Sequence, residues 1–139
     1  MPEHPEALLR RLDSQQSPPL VCFIAGEEPL LQREAADALR VAARRAGFTE
    51  REVFDVDSNF DWGRLSETAA SLSLFGERRL LELRMPGGKP GNSGSKALQA
   101  YCGTPPEDTV LWVTSNRLEK SARESAWAKA LEQAGVFVY

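Results

Sequence analysis

The segment that follows Gly26 has the setting of a phosphate-binding loop but lacks its chemistry. An apolar run, a glycine and a predicted helix follow one another here, so a loop of the pattern G-x-x-x-x-G-K-[ST] would begin at Gly26. Its second glycine, its lysine and its hydroxyl residue would fall at Leu31, Gln32 and Arg33, so all three are missing. Two glutamates directly after Gly26 add negative charge where phosphate would bind. The sequence therefore predicts no nucleotide hydrolysis and no bound cofactor.

Other arrangements that support catalysis or metal binding are also missing. The single histidine, His4, lies between prolines near the start of the chain and has no partner for acid–base work. Asp55 and Asp57 follow a predicted strand, but no histidine, lysine or metal set accompanies them. The cysteines Cys22 and Cys102 form no C-x-x-C pair, and one histidine cannot complete a zinc site with them. We predict two reduced thiols, no catalytic residue and no metal site.

The segment Ser71–Phe75 (Ser71, Leu72, Ser73, Leu74, Phe75) is the one whose apolar residues could bind a partner. On a helical wheel, Leu74 lies about 180° from Leu65, which belongs to the core stripe of the same predicted helix. Phe75 also leaves that stripe, just before Gly76 ends the helix. Exposed apolar residues with a polar rim mark partner sites. The periodicity equally allows an earlier helix end, with both side chains packed under the next strand.

Composition restricts the class of protein. The chain has 139 residues, of which 42% are hydrophobic and 27% charged, which predicts one globular domain covering 1–139. The net charge of -3 disfavours general nucleic-acid binding, which needs cationic groups against phosphates. The longest apolar run, Leu20–Ala25, has six residues, far short of the roughly 20 that a membrane helix needs. With no signal-peptide pattern near Met1, we expect a cytoplasmic protein without membrane contact.

Apolar periodicity predicts alternating strands and helices, and hence an α/β fold: a three-layer sandwich with a mainly parallel sheet of about five strands. The predicted strands are Leu20–Ala25, Glu52–Asp57, Arg79–Met85, Thr109–Thr114 and Val136–Tyr139. Helices are predicted over Glu3–Leu12, from Pro29 to Arg45, after a cap at Asp61, over Lys96–Tyr101, and from a capping box at Ser121 and Glu124 to Gly135. The glycines and prolines of Pro86–Ser95 predict a flexible loop. Glu82 and Arg84 alternate with leucines, which predicts a polar side at a sheet edge.

Five sequence features together resemble one protein family. They are the turn Gly26–Leu31, the pair Asp61-Trp62, the segment Ser73-Leu74-Phe75, the segment Asn116-Arg117-Leu118, and Trp127. In this order and spacing they resemble the amino-terminal domain of the delta subunits of bacterial DNA polymerase III clamp loaders. The resemblance implies a P-loop NTPase/AAA+-like topology without a functional phosphate loop. It also implies that residues 1–139 are a single AAA+-like domain of a longer, three-domain subunit.

The resemblance implies a role in DNA replication without catalysis by this chain. Members of the family bind the beta sliding clamp and help to open the ring, mainly through a Leu-Phe pair that corresponds to Leu74 and Phe75. The segment Ser71–Phe75 also resembles the clamp-binding consensus Gln-Leu-Ser-Leu-Phe, with Ser71 in place of the glutamine. Contacts with other clamp-loader subunits are expected mainly through the family's other domains, and contact with DNA only within the full assembly.

Two alternative functions remain open at this point. The first is a nucleotide-binding AAA+ ATPase domain, which a nucleotide titration would reveal. The second is a small-molecule enzyme on a flavodoxin-like sheet that uses Asp55 and Asp57 at the strand ends. A well-formed pocket with converging polar groups at these carboxylates would favour it.

Overall fold

The computed structural model describes residues 19–26, 29–57, 59–70, 78–116, 118 and 120–138, without the side chains of 29–32, 69 and 136–138. Strands and helices alternate along most of this part of the chain. In chain order they are β1 (Val21–Ala25), α1 (Pro29–Arg45), β2 (Phe48–Asp55), α2 (Gly63–Ala70), β3 (Arg78–Arg84), α3 (Gly91–Gly103), β4 (Thr109–Ser115), α4 (Lys120–Arg123), α5 (Ala126–Ala134) and β5 (Val136–Val138). The predicted helix Glu3–Leu12 lies outside the described residues.

The described strands form one parallel sheet in the order β2-β3-β4-β1-β5. Four strands of five to eight residues make up most of it, and the three-residue β5 pairs with β1 at one edge. In the centre, Phe23 of β1 lies opposite Val113 of β4. The predicted α/β class with a parallel sheet is confirmed. No helix in the described part of the chain is long and apolar enough to cross a membrane.

Helices cover both faces of the sheet, which makes the three layers. On one face, odd-numbered residues of β1 and β4 pack against α2, α3 and α5 through Leu65, Leu98 and Leu131. On the other face, Cys22 and Ile24 pack against the small residues of α1, including Ala35 and Ala42. A parallel strand covered on both sides must be apolar throughout, which is why the continuous run in β1 predicts it so well. Cys22 is fully buried, as predicted.

Several predicted boundaries are wrong within the described part of the chain, among them the start of β2, which begins at Phe48 and not at Glu52. Helix α3 begins at Gly91, so the segment predicted as the flexible loop Pro86–Ser95 is helical over its second half. Its glycines are weak helix formers, but Gly94 is buried against Trp62, and packing outweighs propensity. Ser121, where the capping box is predicted, is the second residue of the four-residue α4, and Ser125 is the N-cap of the separate helix α5.

The prediction of a polar sheet edge at Glu82 is also wrong, because β3 lies inside the sheet between β2 and β4. The Glu82 side chain is only 3% exposed. It accepts hydrogen bonds from Arg51 Nε at 2.8 Å and Nη2 at 2.9 Å, and from Arg40 Nε of α1 at 2.9 Å. Burial alone would raise the pKa of Glu82, but the hydrogen bonds from Arg51 and Arg40 outweigh it, so its pKa is lowered. Two strands and a helix are thus joined at one carboxylate.

We expect Glu82→Gln to destabilise the fold by about 1–2 kcal/mol at neutral pH, since charge-assisted hydrogen bonds are lost while both arginines keep partial contact with water. Because the pKa of Glu82 is lowered in the fold, its stabilisation is complete above the ordinary value of 4.5 and is lost as the pH falls through the lowered pKa. The difference in melting temperature between the wild type and the variant should therefore shrink from pH 7 to pH 3.

The matched control is Glu107→Gln, which changes an exposed carboxylate in the turn before β4. This control should leave the melting temperature almost unchanged at pH 7. A wild-type advantage over Glu82→Gln that stays constant or grows on acidification would contradict the role assigned to the buried carboxylate.

Candidate partner-binding site

The segment predicted to bind a partner, Ser71–Phe75, lies outside the described residues. Its two flanks are described: helix α2 leads to it and is described as far as Ala70, and strand β3 begins after it at Arg78. The described residues show how these two flanking elements are held in place.

The beginning of α2 is fixed by the side chain of Asp61, as predicted. Asp61 Oδ1 accepts a hydrogen bond from the backbone N–H of Gly63 at 2.9 Å, and the Asp61 carbonyl oxygen accepts one from the N–H of Arg64 at 3.1 Å. A carboxylate at this position satisfies a donor that has no partner within the helix and also suits the positive end of the helix dipole.

Trp62 fastens the same end of α2 to the start of α3. Its side chain is buried, and its ring meets Phe60 edge to face with centroids 5.1 Å apart. A Cβ atom on Gly94 would lie 2.5 Å from this ring and equally close to Pro90, so only glycine allows the contact. The motif Asp61-Trp62 was identified from the sequence, but its partner Gly94 was assigned to a loop.

An open groove runs between α2 and α3 towards the end of α2. Leu65 is 1% exposed at its base, whereas Ser66 and Ala70 are exposed along α2. The groove has a volume of about 280 Å³, and its lining is Leu65, Ser66, Ala70, Ala97, Ala100, Tyr101, Thr104 and Pro106. Burial raises the pKa of the Tyr101 hydroxyl well above its usual value, and that oxygen has no hydrogen-bond partner among the described residues. The groove is mainly apolar and carries no catalytic group.

The described part of α2 is also held by an arginine that the sequence identified only as a strand residue. Arg79 Nη1 donates a hydrogen bond to the backbone carbonyl oxygen of Thr68 in α2. Arg79 is 2% exposed and occupies the face of β3 that also carries Leu81 and Leu83. The alternation with these leucines was the one sequence signal that Arg79 points inwards. The contact joins the two flanks of Ser71–Phe75 directly.

The position tested for a phosphate-binding loop joins β1 to α1. Gly26 follows β1, and α1 begins at Pro29, so the backbones of Gln32 and Arg33 belong to this helix. Arg33 is exposed to solvent. No lysine stands at the place where the loop would need one to reach a phosphate.

The carboxylates considered for a small-molecule enzyme lie outside both grooves that the described residues form. Asp55 and Asp57 are both exposed, and Asp57 Oδ1 accepts a hydrogen bond from the backbone N–H of Asn59 at 2.9 Å. Neither lines the groove between α2 and α3 or a second groove of about 310 Å³ between α3 and α5. Cys102 lines that second groove, and burial raises the pKa of its thiol to about 11. His4 lies outside the described residues.

Among the described residues, no group of three or more histidine, cysteine, aspartate or glutamate side chains could hold a metal ion. Of the segment Asn116-Arg117-Leu118, Arg117 is not described. Leu118 is buried under Gly88, where a Cβ atom would lie 2.4 Å from Leu118 Cδ2. Gly88 has a φ of +62°, a second reason for glycine here. In the described structure, Leu118 of this segment therefore serves to pack the core.

Sequence comparison relates the chain to one family. The family model described as "DNA polymerase III, delta subunit" matches residues 23–139. The chain is 34% identical to DNA polymerase III subunit delta of Escherichia coli over 116 residues, which cover 84% of this chain and 34% of that protein. It is 30% identical to the subunit of the same name from Haemophilus influenzae over 113 residues, or 81% of this chain and 33% of that protein. The chain thus spans about a third of the length of these curated relatives.

Comparison of structures gives the same fold. A Bacillus subtilis DNA clamp loader delta protein superposes with a TM-score of 0.71 at 20% identity, covering 96% of this chain and 41% of that chain. A DNA polymerase III gamma subunit-related protein of Thermotoga maritima superposes with a TM-score of 0.58 at 16% identity, covering 99% of this chain and 45% of that chain. At these identities the comparisons show a shared fold.

Proposed function

Because this chain belongs to the DNA polymerase III delta subunit family, we propose that it binds the beta sliding clamp through Ser71–Phe75 and helps to open the ring during DNA replication. Leu74 and Phe75 are the apolar anchors, and Leu72, Ser71 and Ser73 complete the segment. The resemblance in sequence to the family, identified from motifs spread over the chain, is confirmed by the match over residues 23–139.

The observation that carries the proposal is the support given to α2, the helix that leads into the segment. Asp61 and Trp62 hold its beginning, Leu65 is buried in its first turn, and Arg79 donates a hydrogen bond to Thr68 further along. A helix held at several described points is a firm base for two anchoring side chains, since a binding residue that is already positioned loses less entropy on association.

The anchors alone would not supply enough free energy for stable binding. Fully burying Leu74 and Phe75 contributes about 1.5–3 kcal/mol each. Even about 6 kcal/mol falls short of the roughly 8 kcal/mol that a micromolar complex needs. We therefore expect a wider contact, with additional surface from α2 and the loops beside it.

Ring opening requires more than affinity. A partner that binds the open and the closed ring equally well does not shift the equilibrium between them. To open the ring, this chain must therefore bind the open form more tightly. The test is a titration against the closed clamp ring and against a clamp variant whose ring cannot close. We expect affinity for the variant that cannot close to be at least about tenfold higher. Equal affinity would leave clamp binding intact but would contradict the role in opening.

The chain acts in this proposal as a non-catalytic subunit. We expect no binding of ATP or ADP below millimolar concentration, because Leu31, Gln32 and Arg33 replace the functional groups of the phosphate-binding loop. Isothermal titration calorimetry with magnesium present measures this directly. A micromolar dissociation constant would contradict the prediction and favour the ATPase alternative. Clamp binding by the same protein sample serves as the control that it is folded and active.

A further inference from the structure

Arg78, the first residue of β3, is an exposed cation whose side chain is held in place. The Cζ atom of its guanidinium lies 5.3 Å from the ring centroid of Phe48, and its Nη1 donates a hydrogen bond to the Ala46 carbonyl oxygen at 3.5 Å. Both contacts lie between the end of α1 and the start of β2. Because a guanidinium has five N–H donors, most of those of Arg78 remain available to a partner.

Arg44 adds a second exposed cation at the same end of α1. It belongs to the last turn of this helix, two residues before Ala46, the residue whose carbonyl oxygen Arg78 contacts. Within the part of the chain that the structure describes, neither Arg44 nor Arg78 forms an ion pair, whereas Arg40 does. A carboxylate from outside the chain can therefore pair with either of them.

The length of the chain alone places Arg78 close to the proposed anchors. Three residue steps separate it from Phe75, and consecutive Cα atoms are about 3.8 Å apart, so the two Cα atoms lie within about 11 Å of each other by any path. A standard interface covers about 800 Å² of each partner, which corresponds to a patch of roughly 16 Å radius. An interface centred on Phe75 is therefore large enough to include Arg78.

We propose that Arg78 and Arg44 form a cationic rim beside the anchors and pair with carboxylates on the face of the sliding clamp that receives them. This inference rests on the proposed function and adds a charged contact to the apolar one. Carboxylates suit this rim because the planar guanidinium binds them through two parallel hydrogen bonds. A nucleic-acid backbone suits it less well, since a chain with a net charge of -3 repels a polyanion.

Charge pairs at the rim of an interface have a characteristic effect on binding. They act mainly on the rate of association, and salt screens them. The screening length is about 10 Å at 0.1 M salt and about 3 Å at 1 M salt. Removal of the rim charges should therefore slow association with the clamp at low salt and have little effect at high salt. Truncation of an apolar anchor should weaken binding at both.

The test compares the binding of Arg44→Gln/Arg78→Gln and of the wild type to the clamp at both salt concentrations, with association and dissociation rates measured separately. Glutamine removes the positive charge and keeps a polar side chain. We expect the double variant to bind about threefold to tenfold more weakly at about 0.1 M salt, mainly through slower association. At about 1 M salt its affinity should lie within about twofold of the wild type.

The matched control is Arg33→Gln/Lys89→Gln, which changes the net charge by the same amount. Both side chains are exposed. Arg33 lies near the start of α1, after the carboxyl end of β1, and Lys89 lies after the carboxyl end of β3. Since these strands run parallel, both residues belong to the edge of the sheet opposite Arg78. The control should bind the clamp within about twofold of the wild type at both salt concentrations.

Four results would overturn the inference while leaving clamp binding intact. They are an equal loss in the control, a loss that persists at about 1 M salt, wild-type affinity in Arg44→Gln/Arg78→Gln, and wild-type clamp affinity together with lost binding to a double-stranded DNA oligonucleotide. The last of these would assign the two arginines to phosphates. Failure of the wild type to bind the clamp would overturn the proposed function and this inference together.

Arg44→Gln alone keeps the test decisive if the double variant does not fold. Among the described residues, the Arg44 side chain has no hydrogen bond or ion pair to lose, so this variant should fold like the wild type. We expect it to associate with the clamp at least about twofold more slowly than Arg33→Gln at about 0.1 M salt. Equal association rates of these two single variants would overturn the inference.

Discussion

Replacing both Leu74 and Phe75 by alanine should abolish most clamp binding and leave the fold intact. Buried apolar anchors typically cost about 2 kcal/mol or more each when truncated, so the pair should lower affinity by at least about 100-fold. Substitutions of exposed residues usually change stability by no more than about 0.5 kcal/mol, so the melting temperature should stay close to that of the wild type. The experiment is a thermal melt beside a quantitative clamp-binding assay on the same protein.

Val41→Ala is the matched control for this double variant. Val41 is 61% exposed on α1, which covers the opposite face of the sheet from α2, so its truncation removes an exposed apolar side chain away from the proposed site. It should change neither affinity nor melting temperature. A large fall in melting temperature for the double variant would mean that Leu74 and Phe75 belong to the core, where each truncation costs roughly 2–5 kcal/mol. A stable double variant that still binds the clamp would contradict the functional assignment.

Among substitutions of the described glycines by alanine, Gly135→Ala should reduce the stability of the fold most. A Cβ atom at Gly135, between α5 and β5, would lie 1.8 Å from the carbonyl oxygen of Val21 and 2.7 Å from its carbonyl carbon. These are backbone atoms of β1, which pairs with both β4 and β5 and cannot move aside without breaking the sheet. We expect a loss of about 3 kcal/mol or more, seen as a fall of roughly 10 °C in melting temperature.

Gly103→Ala provides the control, because the same methyl group there meets nothing within 4 Å. It stands at the last position of α3, where alanine is a better helix former than glycine. Its melting temperature should equal or slightly exceed that of the wild type. If Gly135→Ala melts at the same temperature as Gly103→Ala, then β1 and the start of β5 are not as closely packed as described.

The fold was predictable wherever a local pattern and its tertiary surroundings agree. The apolar run of β1 predicts a strand covered on two faces, and the structure buries it between two layers of helices. Helix α1 ends at Arg45 before Gly47, whose φ of +96° suits glycine, so capping chemistry gave the right boundary. In both cases the physical cause is local in the sequence.

Prediction failed where the deciding contact comes from a distant part of the chain. Glu82 alternates with leucines as an exposed residue would, but Arg40 and Arg51 pair with it inside the structure. Gly94 has the composition of a loop, and only the ring of Trp62 explains why glycine is needed within a helix. Alternation along a strand shows that a polar side chain lies on the opposite face from its neighbours. It does not show whether that side chain is exposed to water or buried in an ion pair.

The candidate site follows the same division. The segment Ser71–Phe75 could be identified from its own residues and from the resemblance, because the type and spacing of its side chains indicate apolar anchors. The supports of α2 could be predicted only in part. Asp61 is a local cap and was found, whereas the hydrogen bond between Arg79 and Thr68 joins residues 11 positions apart and depends on the packing of α2 against the sheet.

Binding of the wild-type chain to a cognate sliding clamp tests the central claim most directly. Equilibrium titration by calorimetry or fluorescence anisotropy, with folding of the chain verified by circular dichroism, gives the dissociation constant. We expect a value near micromolar or tighter, which corresponds to about 8 kcal/mol of binding free energy and is attainable with two buried anchors and a wider contact. A folded chain that shows no binding to the clamp at about 100 μM, a concentration that would detect a complex with only about 5 kcal/mol, would contradict the account.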